Sequence, residues 1–295
     1  MNMEIKPIAY FRSPFPEKFG IPRQAGLAPA LRGRIVFEPE YRSADALRGL
    51  DGFDYLWLIW EFSANRTASA SSGGSTVSLR SESPEGGVAA SLAGSTHATL
   101  GTVRGGTGAS LCEASGGAER SEAVESPELA ATGLQFQATV RPPRLGGNKR
   151  VGVFASRSPF RPNPLGLSSV RIESIDYDAK SPEGKSIGPV INVLGADLMD
   201  GTPIYDIKPY IEYADSHPGV RSGFVDTTSW EPLEVIFPES ARNTGVDLDA
   251  LREVLSIDPR PRYQDDPGKE YGMSFGGRQV RFRVEGKTLT VISIE

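Results

Sequence analysis

Residues 53–62, FDYLWLIWEF, join aromatic and β-branched side chains in one run, which predicts a buried central strand. Shorter apolar or alternating runs predict further strands over 4–12, 34–37, 150–155, 168–175, 190–194 and 204–210. Ser43 is placed to cap a short helix over 43–50. Because many short strands alternate with glycine- and proline-rich turns, the sequence favours a mainly β protein with a barrel-like domain.

The last quarter of the chain mixes helix and strand patterns. Residues 248–257, LDALREVLSI, space apolar side chains three and four apart and predict a helix that Asp258-Pro259 ends. Residues 233–237 predict a strand, and 279–294 predict a closing hairpin. We therefore expect a small α+β domain over 221–295, after a barrel domain formed by 1–66 and 134–220.

The stretch 67–133 separates the two parts of the expected barrel domain. Of these 67 residues, 44 are Gly, Ser, Ala or Thr, and none is Phe, Tyr or Trp. Such a composition buries too little apolar surface to offset its chain entropy. The sequence therefore predicts a long, low-complexity, disordered insertion.

Scarce residue types exclude several classes of site. Cys112 is the one cysteine, and His97 and His217 are the two histidines. A Cys/His zinc site needs three or four such ligands at matched spacing, so we expect no metal, and a disulfide within the chain is excluded. The chain has no run of about 18 apolar residues and no signal-peptide pattern at its start, so we expect a cytoplasmic protein with no membrane segment.

A basic block covers residues 134–172. It holds seven arginines and lysines and no acid, although the whole chain has a formal net charge of −5. Prolines and glycines hold these cations in stiff turns, which suits the binding of phosphates or a carboxylate. A set of solvated loops, or a polyproline ligand at RPPR, would give the same composition.

An acidic and aromatic cluster follows at 194–210, LGADLMDGTPIYDIKPY. Asp200-Gly201 predicts a turn between apolar runs. On the strand after it, Asp206, Lys208 and Tyr210 alternate and share one face. The same spacing fits an acid/base cluster or a salt-bridged strand on the solvent face.

Several of these runs together resemble the TrmO, or TsaA-like, family of tRNA (adenine-N6)-methyltransferases. The runs are RSPFPEKFGIPRQAGL (12–27), ADALRGLDGFDYLWLIW (44–60), TVRPPRLGGNKRVGVFASRSPFRPNPLGLS (139–168), the cluster at 194–210, and DPRPRY (258–263). The chain departs from the family pattern in the insertion, and in Ser63, where family members often have histidine.

The resemblance implies a single-sheet β-barrel that binds S-adenosylmethionine, and a homodimer. The implied substrate is the anticodon stem-loop of tRNA, chiefly threonine tRNA, with N6-threonylcarbamoyladenosine at position 37. The implied reaction methylates N6 of that nucleoside. The alternatives are a non-enzymatic RNA-binding module and an S-adenosylmethionine-dependent methyltransferase that acts on another substrate.

Candidate site residues follow from the same resemblance. The family's cofactor contacts carry over to Ala25, Gly26, Leu27, Ser63, Ala64, Arg157, Leu167, Leu194, Gly195, Ala196 and Asp197. The expected tRNA-binding cations are Arg141, Arg144, Lys149, Arg150, Arg161 and Lys208, with Phe160 to stack on a base. For the proton that leaves N6, our own hypothesis from the same-face spacing names Asp200 or Asp206 as the catalytic base, or Tyr210 as a relay.

Overall fold

The computed structural model describes residues 4–63, 136–142, 145, 149–228, 230–260, 266 and 268–295. The insertion predicted over 67–133 lies outside the described residues, as do the candidates Ala64 and Arg144.

Strands dominate these ranges, and six of them close into a barrel. The strands before residue 221 are β1 (Ala9–Arg12), β2 (Arg32–Phe37), β3 (Tyr55–Glu61), β4 (Thr139–Val140), β5 (Val151–Gly152), β6 (Leu165–Lys180), β7 (Ser186–Leu194) and β8 (Pro203–Pro209). The barrel has the strand order β1-β2-β7-β6-β3-β8, and all its neighbours run antiparallel. Strands β4 and β5 form a separate two-stranded ladder. The predicted single-sheet barrel is confirmed.

Strand β3 is the aromatic strand predicted from residues 53–62. It pairs with β6 on one side, from Tyr55 opposite Arg171 to Glu61 opposite Leu165, and with β8 on the other. Leu56 and Leu58 are fully buried in the barrel core, whereas the alternate residue Tyr55 is exposed. One face of the strand therefore packs in the barrel core, and the other face lies on the outside of the barrel.

Local differences from the sequence prediction have simple causes. In place of a helix over 43–50, the chain forms 3-10 turns at Ala44–Leu47 and Leu50–Gly52, because Ser43 makes no side-chain cap and Gly49 between them is left-handed. The strand predicted over 150–155 stops at Gly152 and continues as a 3-10 turn. Strands β6 and β7 are longer than predicted, because they pair with each other beyond the predicted bounds, as far as Lys180 opposite Ser186.

The C-terminal part forms an α+β unit, as predicted. Its strands are β9 (Glu234–Ile236), β10 (Glu270–Phe275), β11 (Arg278–Glu285) and β12 (Thr288–Ile294), in the sheet order β10-β11-β12-β9. Two helices, α1 (Glu212–Asp215) and α2 (Leu248–Ser256), precede this sheet's last three strands. Asp247 caps α2 by accepting a hydrogen bond from the backbone N–H of Ala250 at 3.1 Å, and α2 buries Leu251, Val254 and Leu255.

The barrel and the C-terminal sheet have separate hydrophobic cores. Phe15, Ala28 and Leu31, which come from the N-terminal part of the chain, are buried in the core of the C-terminal sheet. The predicted boundary between 220 and 221 therefore stays a prediction. None of the described helices has the length and apolar composition that crossing a membrane requires.

Candidate active site

A cavity of about 520 Å³ opens at one end of the barrel. It lies where β3 ends, β6 begins, and the chain turns from β7 towards β8. The lining residues are Lys18, Ile21, Pro22, Arg23, Gln24, Trp60, Glu61, Phe62, Ser63, Ser156, Arg157, Pro159, Arg161, Leu165, Gly166, Leu167, Asp197, Met199 and Thr202. Cavities of this size in proteins hold ligands of cofactor size.

A chain of hydrogen bonds ends at the carboxylate of Asp197 in the cavity wall. The indole Nε1–H of Trp60 donates to Ser168 Oγ at 3.0 Å, and Ser168 Oγ–H donates to Asp197 Oδ1 at 2.5 Å. Burial raises the pKa of Asp197 above its ordinary value of 3.8, although the bond from Ser168 and the charge of Arg157 lower it. Three strand ends therefore meet at one half-buried carboxylate.

Arg157 places a positive charge in the same cavity. Its Nη1 donates to Gln24 Oε1 at 2.5 Å, which ties the segment after β5 to the loop before β2. The cavity wall thus carries a guanidinium and a carboxylate, together with the rings of Trp60 and Phe62, whose centroids lie 4.4 Å apart. A ligand that is both charged and partly apolar suits such a wall.

The loop 25–27 and the turn 194–197 lie side by side. Gly26 N–H donates to the carbonyl oxygen of Gly195 at 2.8 Å, and Gly195 N–H donates to that of Leu31 at 2.8 Å. Gly195 has φ +76°, and a Cβ there would lie 3.6 Å from the backbone of Gly26. Glycine at 195 therefore lets two backbone segments approach closely beside the cavity.

The structure brings most of the predicted cofactor residues to this end of the barrel. Ser63, Arg157, Leu167 and Asp197 line the cavity. Ala25, Gly26, Leu27, Leu194, Gly195 and Ala196 form the two adjoining segments. The sequence analysis did not name Lys18, Gln24, Trp60, Glu61, Phe62 and Ser168 as candidate site residues. The strand pattern of β3 indicates that Trp60, Glu61 and Phe62 lie at the end of the strand, but not that they line a cavity.

Glu61 is a second carboxylate in the cavity wall. It is buried, and the phenol of Tyr205 on β8 donates a hydrogen bond to its Oε2. A buried carboxylate is stable only when donors satisfy its oxygens, and Tyr205 is one such donor. Among the described residues, no group of three or more His, Cys, Asp or Glu lies close enough together to hold a metal ion.

A larger cavity of about 1480 Å³ adjoins the first. Both cavities share Arg23, Gln24, Ser156, Arg157 and Pro159 as lining residues. The larger cavity is also lined by two cations and two aromatic rings. Arg141 follows β4, Arg150 precedes β5, and Phe154 and Phe160 lie in the segment after β5. The Phe154 residue is 71% exposed, so a flat apolar ligand can reach its ring.

The predicted tRNA-binding cations are in different environments. Arg141, Lys149 and Arg150 are exposed. Arg161 instead donates to the carbonyl oxygens of Val153 (3.1 Å) and Ser156 (2.7 Å), and so holds the turn that carries Arg157. Lys208 lies on β8 and pairs with Asp206 at 2.9 Å.

The three predicted proton acceptors are separated in the structure. Asp200 accepts a hydrogen bond from Ser13 N–H at 3.0 Å and lies between the cavity-lining residues Met199 and Thr202. None of the three lines either described cavity, but Asp200 directly follows the lining residue Met199, whereas Asp206 and Tyr210 have no cavity-lining neighbour in the chain. The ring of Tyr210 packs against Trp57 on the outer face of β3, with centroids 5.9 Å apart.

Comparison with known proteins gives one family over most of the chain. A model described as the tRNA-methyltransferase O N-terminal domain matches residues 10–101 and 126–216, and one described as the TrmO C-terminal domain matches 231–295. An Escherichia coli relative named tRNA (adenine(37)-N6)-methyltransferase is 30% identical, covering 100% of this chain and 98% of the relative. An Eikenella corrodens relative of the same name is 41% identical over 52% of this chain and 84% of its own length.

Two further matches come from Pseudomonas aeruginosa. One relative, 31% identical over 92% of this chain and 89% of its own length, is classed by name among S-adenosylmethionine-dependent methyltransferases. A crystal structure of TrmO from this organism matches with a TM-score of 0.60 and 25% identity, covering 100% of this chain and 98% of that one. Sequence and fold therefore indicate the same family.

The raised pKa of Asp197 predicts a pH-dependent stability. As pH rises from about 3.8, the unfolded chain releases this proton before the folded one does, so the free energy of unfolding falls until pH passes the raised pKa. Asp197→Asn keeps an acceptor for Ser168 and removes this decline. The free energy of unfolding in urea is measured for wild type and Asp197→Asn between about pH 4 and 8. If the two free energies change in parallel with pH, the result contradicts the burial of this carboxylate.

Proposed function

Because the chain belongs to the TrmO family of tRNA methyltransferases, we propose that it transfers a methyl group from S-adenosylmethionine to N6 of adenine 37 in tRNA. One observation supports this function most directly. The residues that match the family's cofactor contacts lie at one cavity, next to a second cavity lined by arginines and phenylalanines. The first has the size for a nucleoside cofactor, and the second has the chemistry for nucleic acid.

The residues of the smaller cavity fit S-adenosylmethionine. Arg157 would pair with the carboxylate of its amino-acid part, and Asp197 would offset its positive charge. Backbone groups of 194–197 would contact the adenine edge, while Leu167 and Trp60 supply apolar surface. When bound, this cofactor supplies an electrophilic methyl group.

The protein's own contribution is to hold the reactants and to remove a proton. Correct positioning of two reactants lowers a barrier by up to about 7–11 kcal/mol. Methylation of N6 would form an N–C bond as the S–C bond to the methyl group breaks, and the sulfonium would leave as a neutral thioether, S-adenosylhomocysteine. The N6 proton is released in the same reaction, and it is more acidic next to a carbonyl than in plain adenosine. We assign its acceptance to Asp200, because this is the candidate that lies beside the smaller cavity.

The substrate we propose is N6-threonylcarbamoyladenosine in the anticodon stem-loop, chiefly of threonine tRNA. Exposed Arg141 and Arg150 would contact phosphates, and Phe154 or Phe160 would stack on a base that leaves the loop. Lys149, and Lys208 with its charge partly offset by Asp206, would add weaker contacts. The family resemblance also supports a homodimer, and a tRNA substrate supports action in the cytoplasm.

A methyl-transfer assay tests this function. Labelled S-adenosylmethionine is mixed with the protein and with threonine tRNA that has or lacks the threonylcarbamoyl group, and the nucleosides are analysed by mass. We expect label only in the modified nucleoside. Label in both tRNAs would contradict the substrate, and no cofactor binding at all would favour a non-enzymatic RNA-binding module instead.

Removal of one exposed cation tests the tRNA surface. Arg141→Ala should weaken tRNA binding and reduce the slope of log K against log salt by about 1, because one phosphate contact is lost. Arg48→Ala is the matched control, since Arg48 is also exposed but lines neither described cavity. Equal salt slopes for wild type and Arg141→Ala would show that Arg141 does not touch phosphate.

A pair of matched carboxylate variants tests the proton acceptor. Asp200→Asn should lower kcat by about 100-fold, a usual value for loss of a general base, while it keeps the bond from Ser13. Asp206→Asn should leave kcat within about twofold, because neither Asp206 nor its chain neighbours line a described cavity, whereas Asp200 directly follows the lining residue Met199. Single-turnover rates would make the comparison, and the reverse order of effects would assign the role to Asp206.

A further inference from the structure

Residues 13–31, here called the bridging loop, have two sides with different partners. Lys18, Ile21, Pro22, Arg23 and Gln24 line the smaller cavity. Phe15, Ala28 and Leu31 of the same loop are buried in the core of the C-terminal sheet, together with side chains of α2 and β10–β12. The wall of the candidate cofactor site is thus built on the C-terminal core.

The first half of the bridging loop is attached to β10 and the turn after it. Gly276 N–H donates to the carbonyl oxygen of Pro14 at 2.9 Å, and the rings of Phe15 and Phe275 meet edge to face at 5.3 Å. Ser274 Oγ–H donates to Glu17 Oε1 at 2.8 Å. These contacts surround the start of the loop with C-terminal residues.

Gly20 shows how closely this half approaches β10. Its φ of +93° is in the left-handed region, and a Cβ there would lie 2.4 Å from Met273 Cε. A side chain at position 20 would therefore strain the backbone, and the side chain of Met273 would have to move.

The second half is attached to α2. Glu253, in the second turn of this helix, accepts a hydrogen bond at its Oε2 from the backbone N–H of Ala30 at 2.6 Å. Just after the loop, Arg32 donates to Asp247, the N-cap of α2, and to Glu173 on β6, both at 2.9 Å. A carboxylate that accepts from a backbone N–H makes a strong hydrogen bond, so α2 holds the end of the loop directly.

We infer that the C-terminal unit positions the cofactor-binding wall, and that Glu253 is a positioning residue that acts through Ala30. A loop without regular secondary structure loses much conformational entropy when it binds a ligand. Holding both halves beforehand reduces that loss and raises affinity. The inference rests on the proposed function, because it assigns the smaller cavity to S-adenosylmethionine.

The test compares three variants of the full chain by calorimetric titration with S-adenosylmethionine. Glu253→Ala removes the acceptor for Ala30 and should raise the Kd about five- to tenfold. Glu253→Gln keeps an acceptor oxygen and should rescue binding to within about twofold of wild type. Glu231→Ala breaks an exposed ion pair with Lys287 in the same unit and should leave the Kd unchanged.

Steady-state kinetics give a second readout that a purely structural role would not move. Glu253→Ala should raise KM for S-adenosylmethionine and leave KM for tRNA unchanged. Should Glu253→Ala fail to fold, Ser274→Ala tests the other half of the loop from an exposed bond and should raise the same Kd. Wild-type affinity in the folded Ala variants would overturn the inference, whereas a wild-type protein that binds no S-adenosylmethionine would overturn the proposed function instead.

Discussion

The site depends on the closed barrel, in which β3 lies between β6 and β8. This strand pairs with β6 and β8 at once, so its end at Trp60–Ser63 must lie beside the start of β6 and the turn that leads into β8. The bonds from Trp60 to Ser168 and from Ser168 to Asp197 cross this junction. Closure pairs β1 with β8, which brings the loop after β1 to the segment that contains Met199 and Thr202 in the cavity wall.

Closure also explains the unfavourable charge at Asp197. Burial of this carboxylate raises its pKa, so its ionised form costs free energy in the free protein. A ligand with a positive charge offsets that cost when it binds, whereas a neutral or anionic ligand does not. The same cavity is also lined by Lys18, Arg23, Arg157 and Arg161, whose positive charges favour an anionic group such as a carboxylate on the ligand. Selectivity here comes from the protein's electrostatics as well as from shape.

Local pattern predicted the strongest elements but not their assembly. The run at 53–62 and the helical spacing at 248–257 predicted β3 and α2, because each buries one face at its own period. Strand order follows from pairings between distant residues and has no local signal. Phe15 and Leu31 lie in a proline-rich loop in which apolar residues have no regular spacing. Nothing in the sequence around them indicates that they belong to the C-terminal core. Motif resemblance located 25–27, 157 and 194–197, yet missed Trp60 and Ser168, whose role depends on a bond across two strands.

Hydrogen–deuterium exchange with and without S-adenosylmethionine tests the central claim, that this end of the barrel is the cofactor site. We expect slower exchange at 18–27, 60–63, 165–168 and 194–199 when the cofactor is bound, because these segments form or adjoin the smaller cavity. Binding that leaves these four segments unchanged, with protection confined to the hairpin at 278–294, would contradict the account.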